Sequence, residues 1–243
     1  MNPLFFGDPR EPLFGIHTPS QGVAGRRGAV LCPPLGQEAL VSHRSLRILS
    51  ERLAQAGLDV LRFDYYGTGD SAGDNRAGSP DRWTNDVRAA VDKLRELAGV
   101  RQVVLVGLRV GALLAAAAEA RSISKLILWD PLLRGREYLD EIEPVANKRD
   151  DEWEVLGFPF SPRLRAQLAQ LDFAHIQRLP RDIRVVVTQQ PIARERLRNE
   201  LTARNTRVEI EHVAAPPVWV EERALGLGAL PVGIFRQIVG WAQ

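Results

Sequence analysis

Hydrophobic positions along the chain follow two alternating patterns: short apolar runs, and longer stretches with a helical period. Ala29–Cys32 is a short apolar strand that runs into Pro33-Pro34. Within residues 43–56, Leu46, Leu49 and Leu53 recur at helical spacing, and Gly57 stops that helix. Leu58–Phe63 reads as the next strand. Ser79-Pro80 reads as an N-cap followed by proline at the first helical position, opening a helix that runs to Ala98. Val103–Val106 is apolar on both faces, as a central parallel strand is, and a short turn then feeds an Ala-rich helix over residues 110–120. Leu126–Trp129, Val185–Thr188 and Val208–His212 complete the strands, and the last helix spans Val232–Trp241. Strand–helix units at this spacing predict an α/β fold: a mostly parallel sheet with helices on both faces, in a single domain over residues 1–243. The rhythm breaks from Pro131 to Pro180, where Tyr138, Trp153, Phe158, Phe160 and Phe173 lie among charged residues. This stretch is expected to be a small helical insertion. Ligands of open α/β sheets bind at the carboxyl edge of the strands, so an insertion there reads as a lid.

Composition narrows the function classes. A chain of 243 residues, 45% hydrophobic and 26% charged, buries a large core without covalent staples. The net charge is +2 and no Lys/Arg block stands out, so no nucleic-acid partner is expected. Cys32 is the only cysteine, which excludes an internal disulfide and an all-cysteine metal site. The four histidines are scattered without ligand spacing, and no metal or cofactor is expected. The first residues lack the pattern of a signal peptide and no apolar run is long enough to span a bilayer, so the expected address is the cytoplasm, with no membrane partner.

The candidate chemistry begins at Val104–Gly111, VLVGLRVG, a strand ending in Gly-x-Arg-x-Gly and followed at once by a helix. So tight a turn needs glycine at positions 107 and 111, because a side chain at either would strike the neighbouring strand or helix. The segment resembles the nucleophile elbow of α/β-hydrolases, Gly-x-Ser-x-Gly, in its strand–turn–helix context. Residues 32–38, CPPLGQE, stand where that family places its oxyanion loop, and residues 64–71, DYYGTGDS, match its Asp-x-x-Gly-x-Gly-x-Ser loop. The stretches LRFDYYGTGDSAGD, VGLRVGA and LILWDPLLRGREYLDE are similar to the exosortase-system-associated hydrolases and to serine aminopeptidase-like proteins. The resemblance covers almost the whole chain and implies an α/β-hydrolase fold with a small helical lid.

Against that family pattern the chain departs at three places. Arg109 stands at the nucleophile position, and a guanidinium cannot attack a carbonyl. The strand edge that carries the family's acid reads Thr188-Gln189-Gln190, and the loop that carries its histidine reads Ala215-Pro216-Pro217-Val218-Trp219. His212 is the nearest substitute but falls inside the strand. Together the three departures imply that the Ser-His-Asp reaction is lost. The oxyanion donors implied by the resemblance, the N–H groups of Leu35 and Val110, need only backbone. A ligand pocket formed by Leu35, Gln37, Glu38, Arg109, Val110 and Trp219 would then let Arg109 grip a carboxylate or phosphate. The alternative is an internal partner for Arg109: Glu38, Asp64 or Asp130.

Three functions follow. The first is a pseudo-hydrolase that holds an acyl-like or anionic small molecule, as an accessory protein of a biosynthetic or export pathway. The second is an enzyme of non-serine mechanism, in which Arg109 stabilises an oxyanion and Asp130, Glu38 or His212 moves a proton. The third is a structural homodimer partner. Other residues carry blander expectations. Asp64 accepts backbone N–H bonds in its own loop, Asp130 caps a turn, and His43 caps or flanks the helix at 43–56. Cys32 is a small core residue rather than half of a Cys32–His43 pair, Glu221 and Glu222 are a solvated pair, with supply of an acid to the crevice near the histidine loop as the alternative, and His17 and His175 have no evident partner.

Overall fold

The computed structural model describes residues 1–22, 27–188, 198–201, 207–220 and 230–243. Its frame is an eight-stranded sheet. The strands are β1 (Asn2–Phe6), β2 (Leu13–Thr18), β3 (Arg27–Cys32), β4 (Asp59–Phe63), β5 (Gln102–Leu108), β6 (Ile123–Trp129), β10 (Asp182–Val187) and β11 (Arg207–His212). They lie in the order β1-β2-β4-β3-β5-β6-β10-β11. The six from β4 to β11 are parallel, and β1 and β2 add an antiparallel edge. Every parallel neighbour needs a crossover, and the helices α1 (Gly36–Gln55), α2 (Pro80–Ala98), α3 (Val110–Ala117) and α6 (Val232–Ala242) cover both faces. One face buries Leu49, Leu53, Ile127, Trp129, Phe235 and Ile238 beneath α1 and α6. The other buries Val87, Val91, Leu105, Leu113 and Leu128 beneath α2 and α3.

The helix boundaries follow local chemistry. Ser79 accepts a hydrogen bond from the Arg82 N–H at 3.3 Å ahead of Pro80, and Gly99 ends α2 in a left-handed conformation. Two helix boundaries move by three residues or more. Two strands begin three residues earlier than read: Leu126–Trp129 extends to Ile123–Trp129, and Val185–Thr188 becomes Asp182–Val187, so Thr188 falls outside its strand. The first helix starts at Gly36 rather than at 43, because residues 36–42 are mostly half-buried and leave no apolar stripe to read. The Ala-rich helix ends at Ala117 rather than at 120. The edge strands β1 and β2 were not anticipated.

Between β6 and β10 the chain forms α4 (Gly135–Ile142), α5 (Pro162–Gln170) and a three-stranded antiparallel sheet, β7 (Asn147–Arg149), β8 (Glu152–Val155) and β9 (Phe158–Phe160). A purely helical reading of this stretch is therefore incomplete, because strands of three or four residues are too short to show a period. α4 packs on α5 and on α3, and Tyr138, Leu139, Phe160, Leu168 and Phe173 join the larger core. Among the described residues no helix is long and apolar enough to cross a membrane.

Candidate functional site

The turn from β5 into α3 sets the geometry. Arg109 has φ 56° and ψ −126°, a conformation that L-residues rarely adopt. Its surroundings hold it there: its N–H donates to the Trp129 carbonyl at 3.0 Å, and its own carbonyl accepts from Ala112 N–H at 3.0 Å. A Cβ on Gly107 would lie 2.4 Å from the Ala112 Cα, and one on Gly111 would lie 2.2 Å from the Pro33 carbonyl oxygen. Both glycines are therefore required by close backbone approach, as the spacing predicted.

The Arg109 side chain is 8% exposed. Its Nε donates to Glu38 Oε1 at 3.3 Å, and a terminal nitrogen donates to Glu141 on α4. The indole of Trp219 lies against the guanidinium, 5.0 Å from centroid to Cζ. Of the three internal partners expected for Arg109, Glu38 is the one that engages. Asp64 instead accepts the Asp70 N–H at 3.0 Å, the bond expected within its own loop. Asp130 accepts from Thr188 N–H at 2.7 Å and from Thr188 Oγ1 at 2.9 Å, so it closes the gap between β6 and β10 instead of meeting the guanidinium. Glu141 was missed; it lies 32 residues along the chain from Arg109, beyond any local pattern.

The charges balance as the helix ends require. Arg109 precedes the first residue of α3, where a cation opposes the helix dipole, whereas Glu38 sits in the first turn of α1, where a carboxylate is favoured. Two carboxylates and an aromatic face offset the misplaced cation. Burial pushes the Glu38 carboxyl up from 4.5 to about 7, against the lowering effect of Arg109, and its Oε2 is buried without a hydrogen-bond partner among the described residues. Burial likewise raises Asp130 from 3.8 to about 6, against the opposing bonds from Thr188.

The remaining predicted site residues divide. Leu35 immediately precedes α1, and its carbonyl accepts from Tyr138 Oη at 3.4 Å. Val110 is the buried first residue of α3, so Leu35 and Val110 each stand at a helix N-terminus. Gln37 is half-buried in the first turn of α1 and makes no side-chain hydrogen bond among the described residues. His212 is the exposed last residue of β11, opposite Val187, and makes no side-chain hydrogen bond among the described residues. His43 is exposed inside α1 rather than flanking it, because the helix begins earlier. Cys32 is fully buried with its thiol pushed far up by desolvation, and it belongs to the core on the face of the sheet away from α1, so no Cys32–His43 pair exists. His17 does have a partner, Asp59, at 2.9 Å. Gln189, Gln190, Glu221 and Glu222 lie outside the described residues.

Comparison with known proteins agrees with this geometry. Residues 41–211 match the family described as serine aminopeptidase, S33. Est1E from Butyrivibrio proteoclasticus, solved with ferulic acid bound, superposes with TM-score 0.77 at 16% identity, over 98% of this chain and 97% of that one. XC6422 from Xanthomonas campestris, described as a serine hydrolase without lid, gives TM-score 0.66 at 16% identity, over 100% and 91%. Mouse alpha/beta hydrolase domain-containing protein 10 gives 0.61 at 17% identity, over 99% and 98%. Among curated sequences no significant match is found. At such identities the likeness shows the fold, which is the α/β-hydrolase fold.

Proposed function

The chain belongs to the serine aminopeptidase S33 family of α/β hydrolases, and from that premise we propose that it is a non-catalytic member whose nucleophile position is held shut by Arg109. One observation carries the reading: the guanidinium at the elbow is buried and neutralised from within, by Glu38 and Glu141, beneath the ring of Trp219. A side chain so engaged supplies no nucleophile to form a tetrahedral intermediate beside Leu35 and Val110. Residues 131–180 then act as a fixed cover rather than a moving lid, tied to the elbow through Glu141 and through Tyr138 on the Leu35 carbonyl. The resemblance to exosortase-system-associated hydrolases favours an accessory role in a biosynthetic or export pathway, with an acyl-like or anionic small molecule as the ligand class.

The test is direct. The protein is expected to hydrolyse p-nitrophenyl esters no faster than background and to resist fluorophosphonate probes. Stoichiometric labelling of a serine in the crevice would overturn the reading. Arg109→Ser alone is expected to give no efficient esterase, because neither a base nor an orienting acid stands at its family position; robust turnover by that single variant would reveal that His212 or another residue supplies the base.

A second reading rests on Glu38, whose carboxyl is raised to about 7 and keeps one buried oxygen unpaired among the described residues. Such a group is poised for proton transfer near neutrality in a non-serine mechanism. Ester or thioester turnover that disappears in Glu38→Gln would establish this reading in place of the first.

A further inference from the structure

A second feature stands apart from the elbow. Arg62, in β4, lies opposite Ile16 of β2 and Leu31 of β3, and faces the side of the sheet that α1 covers. It is 8% exposed, and its Nε is buried without a hydrogen-bond partner among the described residues. Its side chain forms no ion pair among the described residues; the carboxylates of Asp64 and Glu51 act on it only through space, and the Asp64 Oδ2 accepts the Asp70 N–H. A buried guanidinium N–H without an acceptor is costly, and Arg62 cannot escape by losing its proton.

Arg62 lines a cavity of about 410 Å³ between the first half of α1, the β2–β4 edge of the sheet and the loop after β4. The size is that of a small-molecule pocket. Its walls are mostly apolar, supplied by Ile16, Leu31, Ala39, Leu46 and Phe158, and Leu40 beside them is 64% exposed. Asp64 and Asp70 also line it, and they disfavour a ligand carrying more than one negative charge. Arg109 is not among the lining residues.

We propose that this cavity binds an amphipathic monoanion, a carboxylate on an apolar body, with the carboxylate anchored on Arg62 and the body lying along α1. A guanidinium edge offers two parallel N–H groups that match a carboxylate, and the apolar walls accept the chain that follows it. The proposal stands whether or not the elbow is catalytically silent.

Octanoate is the probe, with acetate and octanol as its two halves. Calorimetric titration is expected to show octanoate binding well above either. Arg62→Met is expected to weaken octanoate by about tenfold or more, the effect of losing a charge-assisted pair. The ligand-free Arg62→Met protein is expected to melt no lower than the parent, since an unpartnered charge has been replaced by an apolar chain of similar length. Ala39→Trp, which fills the cavity from α1, is expected to abolish binding, and Arg109→Gln is expected to retain it. Octanol binding as tightly as octanoate, undiminished octanoate affinity in Arg62→Met, or a loss of binding in Arg109→Gln alone would each overturn the assignment, as would failure of the parent to bind octanoate at all.

Discussion

Arg109 is buried with two carboxylate partners, and the proposed reading turns on which partner it needs. If its partners are internal, Arg109→Ala leaves Glu38 buried beside no cation, a change that typically costs about 3–5 kcal/mol. For a chain of this size that is a fall in melting temperature on the order of ten degrees. The variant is expected to melt that far below the parent, with inorganic phosphate stabilising neither protein. A variant as stable as the parent, together with a parent stabilised by phosphate, would show that Arg109 grips an external anion. Glu38 supplies a second measurement. Its folded carboxyl is raised from 4.5 to about 7, so the folded state binds that proton more tightly than the unfolded chain. The stability it contributes is complete below about 4.5 and is lost as pH rises through about 7. Asp130 and Asp86 add slope of the same sign up to about 6. Between about 6 and about 7 the melting temperature is therefore expected to rise on acidification, and Glu38→Gln to flatten that segment; an unchanged slope would place the titration elsewhere. Arg109, Glu38 and Trp219 were legible in the sequence because they fall in the stretches that the elbow motif, the oxyanion-loop segment 32–38 and the histidine loop define. Glu141 was not, because only the folding of residues 131–180 back over β5 brings it near.

Among the elements, the β5–α3 connection is the most tightly determined. A Cβ on Gly111 would meet the carbonyl oxygens of Pro33 at 2.2 Å and Cys32 at 2.6 Å, both backbone and neither free to move without shifting β3. Gly111→Ala is expected to cost about 3 kcal/mol or more, the upper range of overpacking. Gly240 is the control: it is exposed in α6, and an added methyl group there would meet nothing within 4 Å. Gly240→Ala is expected to stabilise by up to about 1 kcal/mol through helix propensity. Chemical denaturation of the two variants checks both, and equal effects would show that the turn tolerates a side chain. The elements read correctly from sequence are those whose burial is one-sided or complete, such as α2 with its serine cap and the central strands β5 and β6. Those misread lack that signal. The first two turns of α1 border the Arg62 cavity and the elbow, so their residues show no core stripe. β7 is exposed along its length and three residues long, which leaves nothing periodic to detect.

At the scale of the whole molecule, the question is whether residues 131–180 move independently of the sheet. Two kinds of contact attach them. The Glu141–Arg109 pair is a tie to a carboxylate that is 50% exposed, and exposed partners contribute about 1 kcal/mol or less. The apolar contacts are of another order: Tyr138, Leu139, Leu164, Leu168 and Phe173 are all buried in the same core as β5 and α2. Each such side chain contributes about 1.5–3 kcal/mol by burial. Arg134 adds ties within the segment, to Glu137 and Asp172, and one beyond it, to Glu200. The apolar contribution therefore decides, and the segment should unfold with the sheet in one transition. Native-state hydrogen exchange is expected to show the amides of α4 and α5 opening at close to the global unfolding free energy, with β7 alone exchanging early. Glu141→Ala should leave that pattern intact, lowering protection by no more than about 1 kcal/mol. If α4 and α5 instead exchanged well before β5, and Glu141→Ala accelerated them selectively, residues 131–180 would be a gate held by one ion pair. The elbow beneath them would then be a site that opens.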